Sequence, residues 1–74
     1  MSLSPKLCLV GAGNMGGAML GGWLASGHEP GAITVVDPGP PIQMLALIGE
    51  HGVTHVTKAA DAERPDLIVV AVKP

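Results

Sequence analysis

Three closely spaced glycines that follow a short apolar run constrain this chain most strongly. Residues 6–10 read KLCLV, and the glycines fall in the next six residues, Gly11 to Gly16 (GAGNMG). An apolar run without polar alternation is typical of a strand buried on both faces of a parallel sheet. Residues 14–26 then suit a helix, which Gly27 is placed to end. The chain is therefore predicted to begin with a strand, a glycine turn and a helix.

The rest of the chain alternates predicted strands with predicted helices. We expect strands at 32–37, 53–56 and 66–72, a helix from Pro41 to about Glu50 that Gly52 ends, and a loop or short helix at 58–63. Strands that alternate with helices imply parallel pairing and right-handed crossovers. The predicted fold class is α/β, a Rossmann-type parallel sheet with helices on both faces, cut to its first four strands.

The position of the glycines between a strand and a helix suggests phosphate binding. Gly11 would permit the tight turn, Gly13 would let a pyrophosphate approach the backbone, and Gly16 would let the helix pack closely. The helix N-terminus offers N–H groups and a positive dipole end to phosphates. A Lys followed by Ser or Thr is absent after the loop, which argues against a triphosphate-binding loop. A purely structural glycine turn is the alternative, and the strand-loop-helix context favours a dinucleotide cofactor.

An acidic residue stands at the end of the second predicted strand. Asp37 follows Gly16 by 21 residues, where a carboxylate can bind the adenine ribose hydroxyls of NAD and repel the additional phosphate of NADP. The other interpretation is that Asp37 caps the Asp-Pro-Gly bend through its own side chain. The sequence leaves both interpretations open.

Composition and charge exclude several classes of protein. Hydrophobic residues make up 47% and charged residues 14% of the chain, which rules out a disordered tail. The net charge of -2, without a basic cluster, predicts no nucleic-acid partner. The apolar run before Gly11 is too short to span a membrane, so no membrane partner is expected. A single cysteine, Cys8, predicts no internal disulfide and favours a cytoplasmic location.

Several other residues are better explained by packing than by chemistry. Cys8 is expected to be a small buried hydrophobe. The three histidines lack the spacing of metal ligands, so no metal site is predicted: they are His28, His51 and His55. Met15, Met19 and Trp23 recur every four residues and form a stripe expected to pack in the core or at a domain interface.

The first predicted helix also contains four glycines, at positions 16, 17, 21 and 22. Each costs roughly 1 kcal/mol relative to Ala in a helix interior. We expect close approach to the sheet and to a ligand to offset this cost. The last predicted strand ends the chain and would leave an apolar edge, which is a liability in a soluble sheet. We therefore expect that the natural protein is longer.

The glycine loop and the last strand carry a resemblance to a known family. Residues 10–28 (VGAGNMGGAMLGGWLASGH), 33–38 (ITVVDP) and 66–74 (DLIVVAVKP) resemble the N-terminal domain of the pyrroline-5-carboxylate reductases. This resemblance covers residues 6–74. It implies an oxidoreductase that reduces the imine of 1-pyrroline-5-carboxylate to L-proline with NADPH or NADH, the last step of proline biosynthesis.

The resemblance also implies what this chain lacks. The family has a second, helical domain that forms the dimer and carries most of the substrate site. Residues 1–74 would be the N-terminal part of the dinucleotide-binding domain, and the parent protein a homo-oligomer. The 74-residue chain alone is expected to be inactive, and no catalytic residue, including the proton donor, is identified in it.

The resemblance further assigns cofactor contacts. Ala12, Gly13, Asn14 and Met15 would contact the pyrophosphate and the neighbouring ribose, and the nicotinamide side would be lined by Ala71, Val72, Lys73 and Pro74. A plainer interpretation of Lys73 is a strand-end lysine whose ammonium reaches water. Asp37 departs from the family, in which many members have Ser or Thr there, and this departure favours NAD.

Two alternatives to this reductase remain. One is the first domain of another NAD(P)-dependent dehydrogenase, such as a β-hydroxyacid dehydrogenase, but those usually lack the AVKP sequence. The other is a stand-alone nucleotide-binding module without enzyme activity. Such a module would need a polar edge on its sheet, which the apolar run at 66–72 does not provide.

Overall fold

Four parallel strands and two α-helices make up the chain. A computed structural model describes residues 4–11 and 13–71. The strands are β1 (Leu7–Val10), β2 (Ile33–Val36), β3 (Thr54–Val56) and β4 (Leu67–Val70), and the helices are α1 (Asn14–Ala25) and α2 (Ile42–His51). Short 3₁₀ turns occupy Pro30–Ala32 and Ala59–Asp61.

The strands lie in the order β3-β2-β1-β4, and all three pairings are parallel. This order is typical of the first half of a Rossmann-type sheet, so the predicted α/β fold class is confirmed. Each strand lies within its predicted range and is one to three residues shorter, and the predicted end of the fourth strand, Val72, lies outside the described residues. The stretch predicted as a loop or short helix at 58–63 contains the 3₁₀ turn.

The direction of each crossover determines which face of the sheet it covers. The connections from β1 to β2 and from β2 to β3 step in the same direction, so right-handed crossovers place α1 and α2 on one face. The connection from β3 to β4 steps back and must cross the other face. In the described part of the chain, that return segment contains a 3₁₀ turn and no α-helix. The prediction of helices on both faces therefore does not hold for the described residues, because the segment that crosses the second face forms only a 3₁₀ turn.

The core is an apolar layer between the sheet and the two helices. Leu9, Leu20, Ile33 and Val35 are the largest side chains that are fully buried, and Met44 of α2 is 2% exposed. Each such side chain contributes roughly 1.5–3 kcal/mol when it is removed from water. Because α1 follows β1 and α2 follows β2, and these strands are parallel, both helix N-termini lie toward the carboxyl ends of the strands.

Both helices end as the sequence predicts, at a glycine with positive φ. Gly27 follows α1 with φ of 93°, and Gly52 caps α2 with φ of 73°. The expectation that the α1 glycines approach the sheet closely holds for one of them, and their approach to a ligand stays a prediction. A side chain at Gly16 would collide with the backbone, but positions 17, 21 and 22 have open space around them. Only the first turn of α1 is close enough to β1 and its loop to require the absence of a side chain.

The methionine and tryptophan stripe of α1 is also divided. Met19 and Trp23 pack against the core, whereas Met15 is 66% exposed. Core packing therefore holds for the first two, and for Met15, which lies in the first turn of the helix beside the glycine loop, packing at a domain interface stays a prediction. At the other side of the sheet, β4 exposes Leu67, Ile68 and Val70 by more than half. That exposed edge agrees with the sequence-based expectation.

Candidate functional site: the glycine loop and the turn after β2

The glycine loop begins with a residue in the left-handed backbone region. Gly11 has φ of 97°, and its N–H donates a hydrogen bond of 3.0 Å to the Val36 carbonyl at the end of β2. An L-residue with a side chain would be strained there by about 1–2 kcal/mol. The loop therefore leaves β1 by a sharp turn that is anchored to the neighbouring strand.

Gly16 lets the first turn of α1 sit against this loop. A Cβ at Gly16 would overlap the Gly11 carbonyl oxygen and lie 3.2 Å from its carbon, and the Leu9 side chain would be 3.7 Å away. The overlapping atoms belong to the backbone, so they cannot rotate aside as a flexible side chain could. Gly16 is buried, and its role within the protein is close packing of helix and loop.

Gly13 differs from Gly11 and Gly16, because neither its backbone conformation nor a neighbouring protein atom requires a residue without a side chain. It is the N-cap of α1, with an ordinary φ of -75°, and a Cβ there would meet nothing within 4 Å. The first N–H groups of an α-helix have no partner within the helix, and α1 has no acidic residue in its first turn and no side-chain cap. The open space over Gly13 therefore fits an anionic group that accepts from these N–H groups.

Asn14, the residue after Gly13, lines this opening. Asn14 and Met15 are exposed at the start of α1, and Ala12 lies outside the described residues. A cleft of about 380 Å³ opens between the start of α1 and α2. Its lining consists of Gly13, Asn14, Gly17, Pro41, Gln43, Met44 and Leu47. A cleft that joins the glycine loop to the turn after β2 has the position expected for the adenosine half of a dinucleotide.

Asp37 holds the turn after β2 together. Its Oδ1 accepts a hydrogen bond of 2.7 Å from the Gly39 N–H, and its own N–H donates to the Val56 carbonyl at 3.1 Å. The interpretation of Asp37 as a turn-capping residue is thus confirmed. Contact with a cofactor ribose stays a prediction, and the two roles are compatible because a carboxylate has several acceptor positions.

His55 is a residue of this site that sequence reasoning missed. The sequence indicated a histidine without a specific role, but its Nε2 lies 2.8 Å from the Asp37 carbonyl oxygen. Two sequence signals could have found it. The turn contains three prolines, which lack N–H donors, and His55 lies in the strand that pairs with β2.

The end of β4 meets the glycine loop at the same edge of the sheet. Ala71 is buried, and its N–H donates to the Val10 carbonyl at 2.8 Å, one residue before the loop begins. The other predicted nicotinamide-side residues, Val72, Lys73 and Pro74, lie outside the described residues. Ligands of open α/β sheets bind at the carboxyl ends of the strands, where these elements converge.

Three other possibilities concern the described residues outside this site: a reactive cysteine, a metal site and a membrane-spanning helix. Burial raises the pKa of the Cys8 thiol, which disfavours the reactive thiolate. Across residues 4–11 and 13–71, no group of three or more His, Cys, Asp or Glu side chains is arranged to hold a metal ion. No helix in the same ranges is long and apolar enough to cross a membrane.

A parallel β3-β2-β1-β4 sheet, a glycine turn at the first helix N-terminus and an acidic turn after β2 define a dinucleotide-binding unit of the Rossmann type. Residues 6–74 match the family described as "NADP oxidoreductase coenzyme F420-dependent", and the chain belongs to that family. The prediction of a nicotinamide dinucleotide cofactor is thereby confirmed at the level of the family.

Relatives among characterised proteins agree with the resemblance seen in the sequence. The chain is 40% identical to the pyrroline-5-carboxylate reductases of Escherichia coli (strain K12) and Shigella flexneri over 97% of its length. It is 35% identical to the enzyme of the same name from Pseudomonas aeruginosa over 96% of its length. The chain spans about a quarter of these relatives, 27% of the first two and 26% of the third. No solved structure matches it.

Proposed function

We propose that this chain is the cofactor-binding part of a reductase that converts 1-pyrroline-5-carboxylate to L-proline with NADH or NADPH. The observation that carries the proposal is the 40% identity to the Escherichia coli reductase, which extends over 97% of the chain and includes the glycine loop. The geometry of that loop supports it, because open space lies over Gly13 at the first turn of α1.

The residues of the loop divide the work of binding. The backbone N–H groups at the start of α1 donate hydrogen bonds to the pyrophosphate oxygens, and the contacts to the pyrophosphate and neighbouring ribose come from Ala12, Gly13, Asn14 and Met15. Gly11 permits the sharp turn of the loop and Gly16 permits the close packing of helix and loop, so both shape the cofactor site through the backbone. Ala71, Val72, Lys73 and Pro74 line the nicotinamide side at the end of β4, which pairs with β1 next to the loop.

Asp37 favours NADH over NADPH in this proposal. Asp37 is the first residue of the turn after β2, and its carboxylate caps that turn at Gly39. Pro41, at the end of the same turn, lines the cleft together with Gly13. A carboxylate accepts hydrogen bonds from ribose hydroxyls, whereas the 2′-phosphate of NADPH would meet a like charge. The capping bond to Gly39 restricts the side chain, so less ordering remains to be done when a ribose binds.

The cofactor, when bound, supplies a hydride to the imine carbon, and the imine nitrogen takes up a proton. The residues of this chain bind and orient the cofactor. No residue of this chain is assigned as the proton donor, and by the resemblance most of the substrate site lies in a second domain, within the three quarters of the relatives that this chain does not span. By the same similarity we propose a homo-oligomeric parent and a role in proline biosynthesis. We also propose a cytoplasmic location, which the single, buried Cys8 supports.

A chimera tests this proposal. Residues 6–74 replace the matching segment of the Escherichia coli reductase, and consumption of NADH and NADPH with 1-pyrroline-5-carboxylate is followed together with the formation of proline. We expect cofactor-dependent proline formation.

The matched control is the same chimera with Gly13→Val, which places a side chain in open space and should fold while losing cofactor affinity. A folded chimera that binds NADH or NADPH but forms no proline would show that this segment does not orient the cofactor for imine reduction, and would contradict its proposed role in such a reductase. A folded chimera that binds neither cofactor would contradict the proposal as a whole.

A further inference from the structure

The turn after β2 has few backbone donors with which to fix its own shape. Residues 37–41 read Asp-Pro-Gly-Pro-Pro, so Asp37 and Gly39 alone carry a backbone N–H. The Asp37 N–H donates to Val56, and the Gly39 N–H donates to the Asp37 carboxylate. With both donors used, the carbonyl groups of the turn depend on donors from outside it.

His55 provides such a donor to the residue that begins the turn. A carbonyl oxygen can only accept, so the contact of 2.8 Å is a hydrogen bond from the His55 Nε2–H to the Asp37 carbonyl. His55 is partly buried in β3 and lies opposite Val35 of β2. Its neighbour Val56 accepts the Asp37 N–H. Both backbone polar groups of Asp37 are therefore held by β3, one by its main chain and the other by a side chain.

We propose that His55 is a positioning residue for cofactor selectivity. By fixing the Asp37 backbone, it holds the capped carboxylate at the ribose and strengthens the preference for NADH over NADPH. The inference rests on the proposed function, because it requires that a dinucleotide occupies the site. On a less rigid turn the Asp37 carboxylate could move away from the 2′-phosphate of NADPH, which would reduce the repulsion. Ordering the carboxylate on the ribose of NADH would also cost more free energy.

The ratio of the dissociation constants of NADPH and NADH tests this proposal, measured by calorimetric titration of the chain and its variants. We expect His55→Leu to lower that ratio about three- to fivefold, the effect of one neutral hydrogen bond. His55→Gln should restore most of the ratio, because the glutamine amide can place an N–H near the position of Nε2. His51→Leu is the matched control, since it removes an exposed histidine from the end of α2 and should leave the ratio unchanged.

Several results would overturn the proposal. If His55→Leu lowers the unfolding temperature but leaves the ratio unchanged, His55 only stabilises the fold. If His55→Leu does not fold, His55→Gln is compared with His55→Asn, because the shorter asparagine cannot reach the Asp37 carbonyl. Equal ratios for these two variants would overturn the proposal. If the folded, unsubstituted chain binds neither cofactor, the proposed function fails and this inference fails with it. If the unsubstituted chain binds NADH but His55→Leu has the same ratio of dissociation constants, only the role of His55 is refuted and the proposed function stands.

Discussion

The turns that follow β1 and β2 lie side by side at one edge of the sheet but are built in opposite ways. The first turn depends on missing side chains, with a left-handed backbone at Gly11 and helix-to-loop contact at Gly16. The second depends on side chains, because its prolines lack N–H donors and Asp37 and His55 supply the hydrogen bonds. A turn built from glycine leaves room for a phosphate, whereas a turn built from side chains can distinguish one ribose from another.

The substitution with the largest expected effect adds a side chain at Gly16, in the first turn of α1. Gly16→Val would push a β-branched side chain into the Gly11 backbone, and we expect the free energy of unfolding to fall by about 3 kcal/mol, the upper range for overpacking. Chemical denaturation measures the change. Gly22→Ala is the control, since it fills open space on the same helix and should stabilise the chain by about 0.5–1 kcal/mol. Equal effects of the two substitutions would show that close packing at Gly16 is unimportant.

A substitution at Gly13 separates cofactor binding from folding. Because its φ is ordinary and its surroundings are open, Gly13→Val should leave the unfolding transition nearly unchanged. The new side chain would occupy the space assigned to the pyrophosphate, so NADH affinity should fall at least tenfold, about 1.4 kcal/mol. Calorimetric titration with a parallel denaturation curve measures both quantities. Undiminished NADH binding would place the pyrophosphate elsewhere.

In the second turn, Asp37→Ser should change selectivity more than stability. The serine hydroxyl can still cap the turn, though more weakly, while the charge that opposes the 2′-phosphate is lost. We expect the affinity ratio to move toward NADPH by about fivefold, or ~1 kcal/mol. Titration of the variant with both cofactors measures the shift. Asp66→Ser is the control for loss of a carboxylate at the opposite edge of the sheet, where Asp66 accepts from the Lys6 N–H. An unchanged ratio in Asp37→Ser would leave Asp37 as a turn residue alone.

The smallest expected effect concerns Cys8, which lies in β1 before the glycine loop. Burial raises the pKa of its thiol, so the folded state keeps its proton at pH values where the unfolded chain begins to lose it. This contribution to stability is complete below the unfolded thiol pKa of about 8.5 and is lost as the pH rises above that value. We expect slow alkylation at pH 8 and a decline of the unfolding free energy above about pH 8.5 that Cys8→Ala reduces. Rapid alkylation of the folded chain would contradict the burial.

The sequence predicted the positions of the strands along the chain and the helix ends well, because those depend on local signals. Unbroken apolar runs indicated buried parallel strands, and Gly27 and Gly52 marked the helix ends that the structure has. The open space at helix positions 17, 21 and 22 was not predictable, because it depends on the distance between helix and sheet rather than on residue type.

The site was predicted less completely than the fold. The three glycines of the loop followed from their spacing, and the capping role of Asp37 was one of two stated alternatives. The contact of His55 with Asp37 joins residues 18 positions apart and follows from the pairing of β3 with β2. The three prolines of the turn signal that it needs a donor from outside, but no local motif identifies His55 as that donor.

The most direct test of the central claim is calorimetric titration of the folded chain with NADH and with NADPH at one fixed salt concentration. The glycine turn and Asp37 together predict that NADH binds at least tenfold more tightly than NADPH, a difference of about 1.4 kcal/mol. Tighter binding of NADPH would keep the glycine loop as the phosphate site and remove Asp37 from the ribose. Absence of binding by either cofactor, with the chain shown to be folded, would contradict the assignment of this site to a dinucleotide.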